Sequence, residues 1–433
     1  MKILHYPSRQ QWDDIITRPH LDNAQLQATV AAVLNDVRQR GDAAVLEYEE
    51  RFDHVHLESL AVTPSEMEEG ANMIPDALKE AIKLAHHNIY EFHHAQRFSE
   101  VHVITQPGVE CWQRSVAIER VGLYIPGGTA PLFSTVLMLA TPAKIAGCSD
   151  IVLCTPPSRN GKVNPAILMA AKVAGVSAIY KVGGVQAVGA MAYGTQTIPK
   201  VYKIFGPGNQ YVMAAKQQVS MADVAIDMPA GPSEVCVVAD ETANPQFVAA
   251  DLLSQAEHGV DSQVVLITDS DMLLDRVLAE LKSQLEELPR KEMAAKSLDN
   301  STLVVVRSMD EAMALANAYA PEHLIINTKD YMQQAQQVVN AGSVFLGPYA
   351  CESAGDYASG TNHTLPTHGY ARAYSGVNLD SYQRKVTFQH LSPEGVGCIG
   401  QAVEQMAAAE QLDAHRNAMT VRLRSLANQN RKR

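Results

Sequence analysis

Four groups of polar residues in this 433-residue chain have the types and spacing to do chemistry. Asp251, Ser254, Gln255 and His258 recur at i, i+3, i+4 and i+7, which is one stripe of a helix expected to stop at Gly259. A Gln–x–x–His pair at a helix end can reach one point in space, or can lie as a solvated polar face. Gln is a weak, neutral ligand, so the pair alone names no metal. Pro321-Glu322-His323 stands just before an apolar run and sets a carboxylate beside an imidazole that titrates near neutrality, which suits proton transfer. Neighbours in an extended chain face opposite ways, so both reach one substrate only if the backbone turns there. From Glu352 to His363 the sequence reads as a long Gly/Ser loop in which Asp356 either ligates a divalent cation or closes an Asx-turn. The tail offers Glu410 and His415, with Asp413 expected as a helix N-cap.

Two other sets are weaker. His86-His87 and His93-His94 lie i, i+7 on one expected helix, two turns or about 10 Å apart, too far to share one ion. His363, His368 and His390 have no spaced partners and read as loop residues. The turns Ile125-Pro126-Gly127-Gly128, Gly183-Gly184 and Gly206-Pro207-Gly208-Asn209 suit a nucleotide, but none is a GxGxxG followed by an acidic residue, and there is no GxxxxGK[ST].

These residues need a scaffold, and the apolar pattern outlines one. The first ~120 residues read as helical, with stripes at Val30, Val33, Leu34 and Val37 and at Leu78, Ile82, Ala85 and Ile89. From Val121 short β-rich runs alternate with helical ones: VGLYIP, DIVLCTP, AIYKVGG, VYKIFGPG, then SEVCVVAD, QVVLITD, STLVVVRS, EHLIINT and SVFLG. Strands apolar on both faces and separated by helices predict α/β architecture, with two Rossmann-like parallel-sheet layers. A helical N-terminal segment and a helical C-terminal tail flank them. The expected division is an N-terminal extension (1–20), a first α/β domain (21–123 and 234–378), a second α/β domain (124–233) and a helical tail (379–433). The loop-rich stretch runs from Pro348 to Gly376, and Arg422, Arg424 and Lys432 make the end of the tail basic.

Composition narrows the partners. A net charge of −12 argues against nucleic acid or an anionic membrane. The charge-free stretch between Arg120 and Lys144 is broken by Pro126 and Pro131, so it predicts a buried segment and not a span. Six cysteines without a CxxC pair, and an N-terminus without an apolar signal core, fit a reduced, cytoplasmic protein.

Several long strings then resemble one family: VGLYIPGGTAPLFSTVLMLATPAKIAGC, KIFGPGNQYV, IDMPAGPSEV, DLLSQAEHGVDSQV, APEHLII and SAGDYASGTNHTLPT are similar to histidinol dehydrogenases, over nearly the whole chain. The resemblance implies oxidation of L-histidinol to L-histidine through a bound aldehyde, with two NAD reduced in succession. It also implies a homodimer with one zinc ion per subunit and a site completed by the partner's tail. Carried over position by position, the zinc ligands would be Gln255, His258, Asp356 and His415. Those four, with Ser233, His323 and Glu410, would touch substrate. Glu322 and His323 would move protons, and Tyr124, Gln186 and Asn209 would meet NAD. The competing reading is a zinc-dependent hydrolase of a small nitrogen-containing substrate, which has no use for Tyr124, Gln186 and Asn209. A non-catalytic binding protein would leave Glu322 and His323 without a role.

Overall fold

The computed structural model describes residues 1–18, 24–127 and 131–430. Gly128 of the Pro126 turn and the basic Lys432 lie outside them. The chain divides into two compact units, one of residues 1–96 and 118–382, the other of 97–117 and 383–433.

The larger unit holds two parallel sheets. One has six strands: β1 (Lys2–His5), β9 (Glu234–Ala239), β10 (Gln263–Thr268), β11 (Thr302–Val305), β12 (His323–Asn327) and β13 (Ser343–Leu346), in the order β1-β11-β10-β9-β12-β13. The other has five: β4 (Arg120–Tyr124), β5 (Asp150–Thr155), β6 (Ala178–Lys181), β7 (Lys203–Phe205) and β8 (Ala225–Ile226), in the order β6-β5-β4-β7-β8. Alternation along β9 explains why no polar face exists. Val235, Val237 and Ala239 join one buried cluster, whereas Cys236 and Val238 join the cluster on the opposite face. The α/β expectation with two parallel layers therefore holds.

Three expectations are corrected. The helices of residues 21–123 pack mainly on the five-stranded sheet and not on the six-stranded one: Leu26, Val30 and Val37 share a cluster with Tyr124 and Val188, and Ile82 and Ile89 share one with Leu123 and Leu137, while Asn88 also donates to the Ala358 carbonyl. Residues 1–20 are not a bare extension, since Lys2–His5 pairs in parallel with Thr302–Val305 as an edge strand. The stretch before residue 120 and the tail are not wholly helical. In the smaller unit, β2 (Val101–Gln106) and β3 (Val109–Ala117) form an antiparallel sheet with β14 (Gln383–Leu391). One partner of β3, β14, lies some 270 residues away in the chain, so no local pattern announces that pairing. Helices Pro393–Ala409 and Asp413–Asn430 complete that unit and pack on each other, with Leu423 against Gly400.

One buried ion pair shapes the carboxyl edge of the five-stranded sheet. Lys216 Nζ lies 2.6 Å from Asp227 and 2.7 Å from the carbonyl of Gly206. Asp227 also accepts the Gly206 N–H at 2.9 Å. Gly206 has φ +129°, and a Cβ there would fall 2.1 Å from the Tyr124 carbonyl oxygen, so only glycine lets the turn after β7 come this close to β4. Lys216→Met should leave Asp227 buried and unpaired and cost about 3–5 kcal/mol, read as a lower urea-unfolding midpoint. An unchanged midpoint would show that the pair contributes nothing net.

Candidate active site

The acid–imidazole group forms at the amino edge of the six-stranded sheet. The helix Met309–Tyr319 ends at Ala320, whose left-handed backbone (φ +53°) turns the chain before Pro321. That turn is what allows Glu322 and His323 to reach one place. Glu322 Oε2 accepts the Glu234 backbone N–H at 3.0 Å and lies 3.7 Å from His323 Nδ1. The same Nδ1 is 3.3 Å from the Glu234 carbonyl, and Nε2 lies 3.6 Å from Asp356 Oδ1. Both residues are buried.

Asp356 does not stand in a loop. Glu352–Tyr357 is a short helix capped at Cys351, which corrects the expectation of a long Gly/Ser loop there. Gly355 and the small residues beside it are poor helix formers, but tertiary packing overrides propensity. A Cβ on Gly355 would meet the Phe345 ring at 2.6 Å, so glycine lets this helix sit against β13. The helical turn puts Glu352 and Asp356 at i and i+4, on one face. Together with His258 they form a group whose ligand atoms lie within 4.8 Å of one another.

Gln255 comes from the helix Pro245–Ala256, one turn before His258, and is fully buried. Neither atom of its side-chain amide has a hydrogen-bond partner, and neither does either carboxylate oxygen of Glu352. Such orphaned atoms are costly without a ligand. Ser233 directly precedes β9. Glu410 and His415 belong to the smaller unit, where Glu410 caps the helix Pro393–Ala409 and His415 is exposed in the first turn of the last helix.

Electrostatics mark this edge as short of positive charge. Burial pushes Glu322 up to about 7 and also raises Glu352. Burial lowers His323, but Glu352, Glu322 and Asp356 outweigh it and hold the imidazole protonated well above its ordinary range. Burial would likewise raise Asp356, yet the His323 imidazolium keeps it below the usual carboxylate value. Asp251 is pushed up to about 7 by burial alone.

Three contributors are not announced by the sequence. Glu352 was visible only as one of two acids in a supposed loop. Arg18 lies at the end of a stretch with no motif, yet it clamps Glu234 through Nε at 3.1 Å and Nη2 at 2.5 Å and stacks over the Tyr319 ring. His363, read as a loop residue, ties Asp356 by Nδ1 to its backbone carbonyl (2.9 Å) and meets Thr135 through Nε2 (3.0 Å). The histidines of the helix Asp76–His94 form no metal-type cluster among the described residues, and His93 bonds the Ile89 carbonyl.

At the carboxyl edge of the other sheet, Tyr124 ends β4 and its hydroxyl accepts the Gly184 N–H at 3.2 Å. Gln186 is buried in the first turn of the helix Gly184–Tyr193. Asn209 caps the helix Gln210–Ser220, its Oδ1 accepting from Tyr211 and Val212, which leaves its amide nitrogen as the donor it can offer.

Two parallel sheets, with glycine-rich turns at the carboxyl edge of one and a buried acid–imidazole group at the amino edge of the other, define an α/β protein with the layout of an enzyme. A family model for histidinol dehydrogenase matches residues 16–423. The chain is 64% identical to a histidinol dehydrogenase of Bacteroides thetaiotaomicron, over 98% of this chain and 100% of that one. It is 53% identical to the chloroplastic enzyme of Arabidopsis thaliana, over 97% and 90%. A crystal structure of histidinol dehydrogenase from Elizabethkingia anophelis superposes with a TM-score of 0.96 at 50% identity, covering 99% of each chain. The chain belongs to the histidinol dehydrogenase family, NAD-dependent oxidoreductases that catalyse the final step of histidine biosynthesis. The hydrolase alternative is not retained. No described helix is long and apolar enough to cross a membrane.

The raised Asp251 carboxyl makes a stability prediction. A carboxyl whose pKa is higher folded than unfolded contributes stability that is complete at low pH and lost as pH rises through about 4 to 7. Asp251→Asn should therefore gain about 2–4 kcal/mol relative to the unsubstituted chain between pH 4 and pH 8, measured by urea unfolding of metal-free protein. A difference that does not change with pH would show that Asp251 is not held in a desolvated state.

Proposed function

We propose that this chain oxidises L-histidinol to L-histidine at the amino edge of the six-stranded sheet, with Glu322 and His323 as its proton-transfer residues. The observation that carries the reading is the placement of the His323 ring between the Glu322 and Asp356 carboxylates, at 3.7 and 3.6 Å. Oxidising an alcohol removes a hydride from carbon and a proton from oxygen. With a dication neutralising the carboxylates that otherwise hold its ring protonated, His323 is the group to take that proton. The aldehyde must add water before it can lose a second hydride. Glu322, whose carboxyl titrates near neutrality and is oriented by the Glu234 N–H, is placed to take a proton from that water. As water adds, His323 returns its proton to the carbonyl oxygen and then takes a hydroxyl proton of the hydrate, so one base serves both oxidations. Per turnover, two hydrides leave carbon and one water oxygen is gained, which balances an alcohol against a carboxylate.

The donor set fits zinc. His258, Asp356 and the unpartnered Gln255 amide form a mixed nitrogen–oxygen group, and the carboxylate excess around them calls for a dication. His415 is the fourth ligand proposed, supplied by the tail of a second subunit in a homodimer. The ion would hold and orient the substrate, a Lewis-acid and positioning role. Ser233 and Glu410 are assigned to the substrate. Tyr124, Gln186 and Asn209 are assigned to NAD, which accepts the hydrides. The orphaned Gln186 Oε1 supports that placement. A soluble cytoplasmic dimer is the form proposed.

Purified, zinc-loaded protein should give a rise in NADH absorbance with L-histidinol and NAD, and no rise would sink the proposal. His323→Ala should lower turnover about 10²–10⁴-fold with bound zinc unchanged, whereas His258→Ala should lose the metal itself. Zinc content by elemental analysis separates the two. Mixing a His415→Ala chain with a His323→Ala chain should restore about one quarter of normal activity if the tail serves its neighbour. No recovery, with heterodimers confirmed, would mean that each chain completes its own site.

A further inference from the structure

Glu49 has no part in the chemistry above, yet it lies beneath the residues assigned to the dinucleotide. It opens a five-residue π-helical stretch, Glu49–Asp53, and is fully buried. Stretches of this geometry are rare and often stand at functional sites. Its Oε1 accepts two hydrogen bonds, from the Gly183 N–H at 3.0 Å and from Gln186 Nε2 at 2.8 Å. Gly183 caps the helix after β6, and Gln186 lies in the first turn of that helix. The Gln186 side chain is only 1% exposed, and its Oε1 has no partner. That oxygen lies next to Gly184, where a Cβ would come within 2.9 Å of it, and the Gly184 N–H in turn reaches the Tyr124 hydroxyl. Burial and the neighbouring Asp53 push the Glu49 carboxyl up to about 7.

An amide side chain can present either its nitrogen or its oxygen, and its neighbours decide which. A carboxylate that already accepts a backbone N–H takes the amide nitrogen. The carbonyl oxygen is then left as an acceptor in a buried place, where only a ligand donor can satisfy it.

We infer that Glu49 is a positioning residue for the dinucleotide: by holding Gln186 Nε2 and the Gly183 N–H, it fixes Gln186 Oε1 as the acceptor for an O–H or N–H donor of NAD. The inference rests on the assignment of Gln186 and Tyr124 to the cofactor.

Three variants separate the possibilities, each assayed as zinc-loaded full-length enzyme with NAD and L-histidinol varied in turn. Glu49→Gln should raise KM for NAD about five- to tenfold, the scale of a lost charge-assisted hydrogen bond. Its kcat and its KM for histidinol should stay within about twofold, because the group touches neither substrate nor metal. Gln186→Ala should raise KM for NAD at least as much. The double variant should be no worse than Gln186→Ala alone, since Glu49 acts through that side chain. If Glu49→Gln does not fold, Glu49→Asp, which withdraws the carboxylate by one methylene, carries the same comparison. An unchanged KM for NAD in the Glu49 variant, or additive effects in the double variant, would overturn the role of Glu49. An unchanged KM for NAD in Gln186→Ala would instead overturn the cofactor assignment. An NAD analogue with an acetyl group in place of the carboxamide identifies the donor. Loss of the Glu49 dependence with it assigns the carboxamide N–H, and retention assigns a ribose hydroxyl or the adenine amino group.

Discussion

Crowding carboxylates around an imidazole in a desolvated place is costly, and the candidate active site is organised around that cost. Glu322, Glu352 and Asp356 act on one another and on His323; burial pushes all three carboxyls up, and only at Asp356 does the imidazolium outweigh it. An isolated buried charge of either sign would discharge by shifting its pKa. Here the imidazole and the acids hold one another charged only in part, and the unpartnered atoms of Gln255 and Glu352 show that the protein leaves the balance incomplete. A divalent cation bound at this edge would supply the missing charge and the missing contacts together.

Such a concentration of strain needs rigid supports. Glu322 and His323 begin β12, Glu234 begins β9, and the two strands are adjacent and apolar on both faces. Arg18 holds Glu234 from the N-terminal segment, so the strand start that orients Glu322 is itself fixed by a buried cation. The helix Glu352–Tyr357 gains its place by the close approach of Gly355 to Phe345. Side chains set on strand ends and packed helices keep their geometry more closely than side chains on loops.

The two candidate edges are of opposite sense. The dinucleotide assignments lie after β4, β6 and β7, at carboxyl ends, where binding loops of parallel sheets gather. The acid–imidazole group stands instead at the amino ends of β9 and β12. A parallel sheet exposes unpaired N–H groups at that end, and the Glu234 N–H bound to Glu322 is one of them put to use. At the carboxyl edge of the other sheet the buried Glu49 likewise accepts a backbone N–H, from Gly183, and also holds the Gln186 amide nitrogen, so a buried acid is fixed by a main-chain donor at both edges.

Long apolar runs punctuated by glycine and proline told the α/β class and both parallel sheets from the chain alone, because burial on two faces leaves no polar alternation to confuse the pattern. The Gln255–His258 spacing and the Glu322–His323 adjacency were equally legible, since helix periodicity and neighbourhood in the chain are local properties. What stayed hidden depended on contacts between distant segments. The pairing of β3 with β14 and of β1 with β11 joins residues separated by most of the chain. The coverage of the five-stranded sheet by the N-terminal helices depends on which apolar stripe meets which sheet, and a stripe does not name its partner. Glu352 became part of the site only because packing on Phe345 made a helix from residues that favour a loop. Arg18 and Glu49 entered only when folding brought them to a strand start and a turn. Sequence determined which groups could do the chemistry; the tertiary structure decided which of them are desolvated together, because burial and charge coupling belong to an arrangement in space and not to an order along the chain.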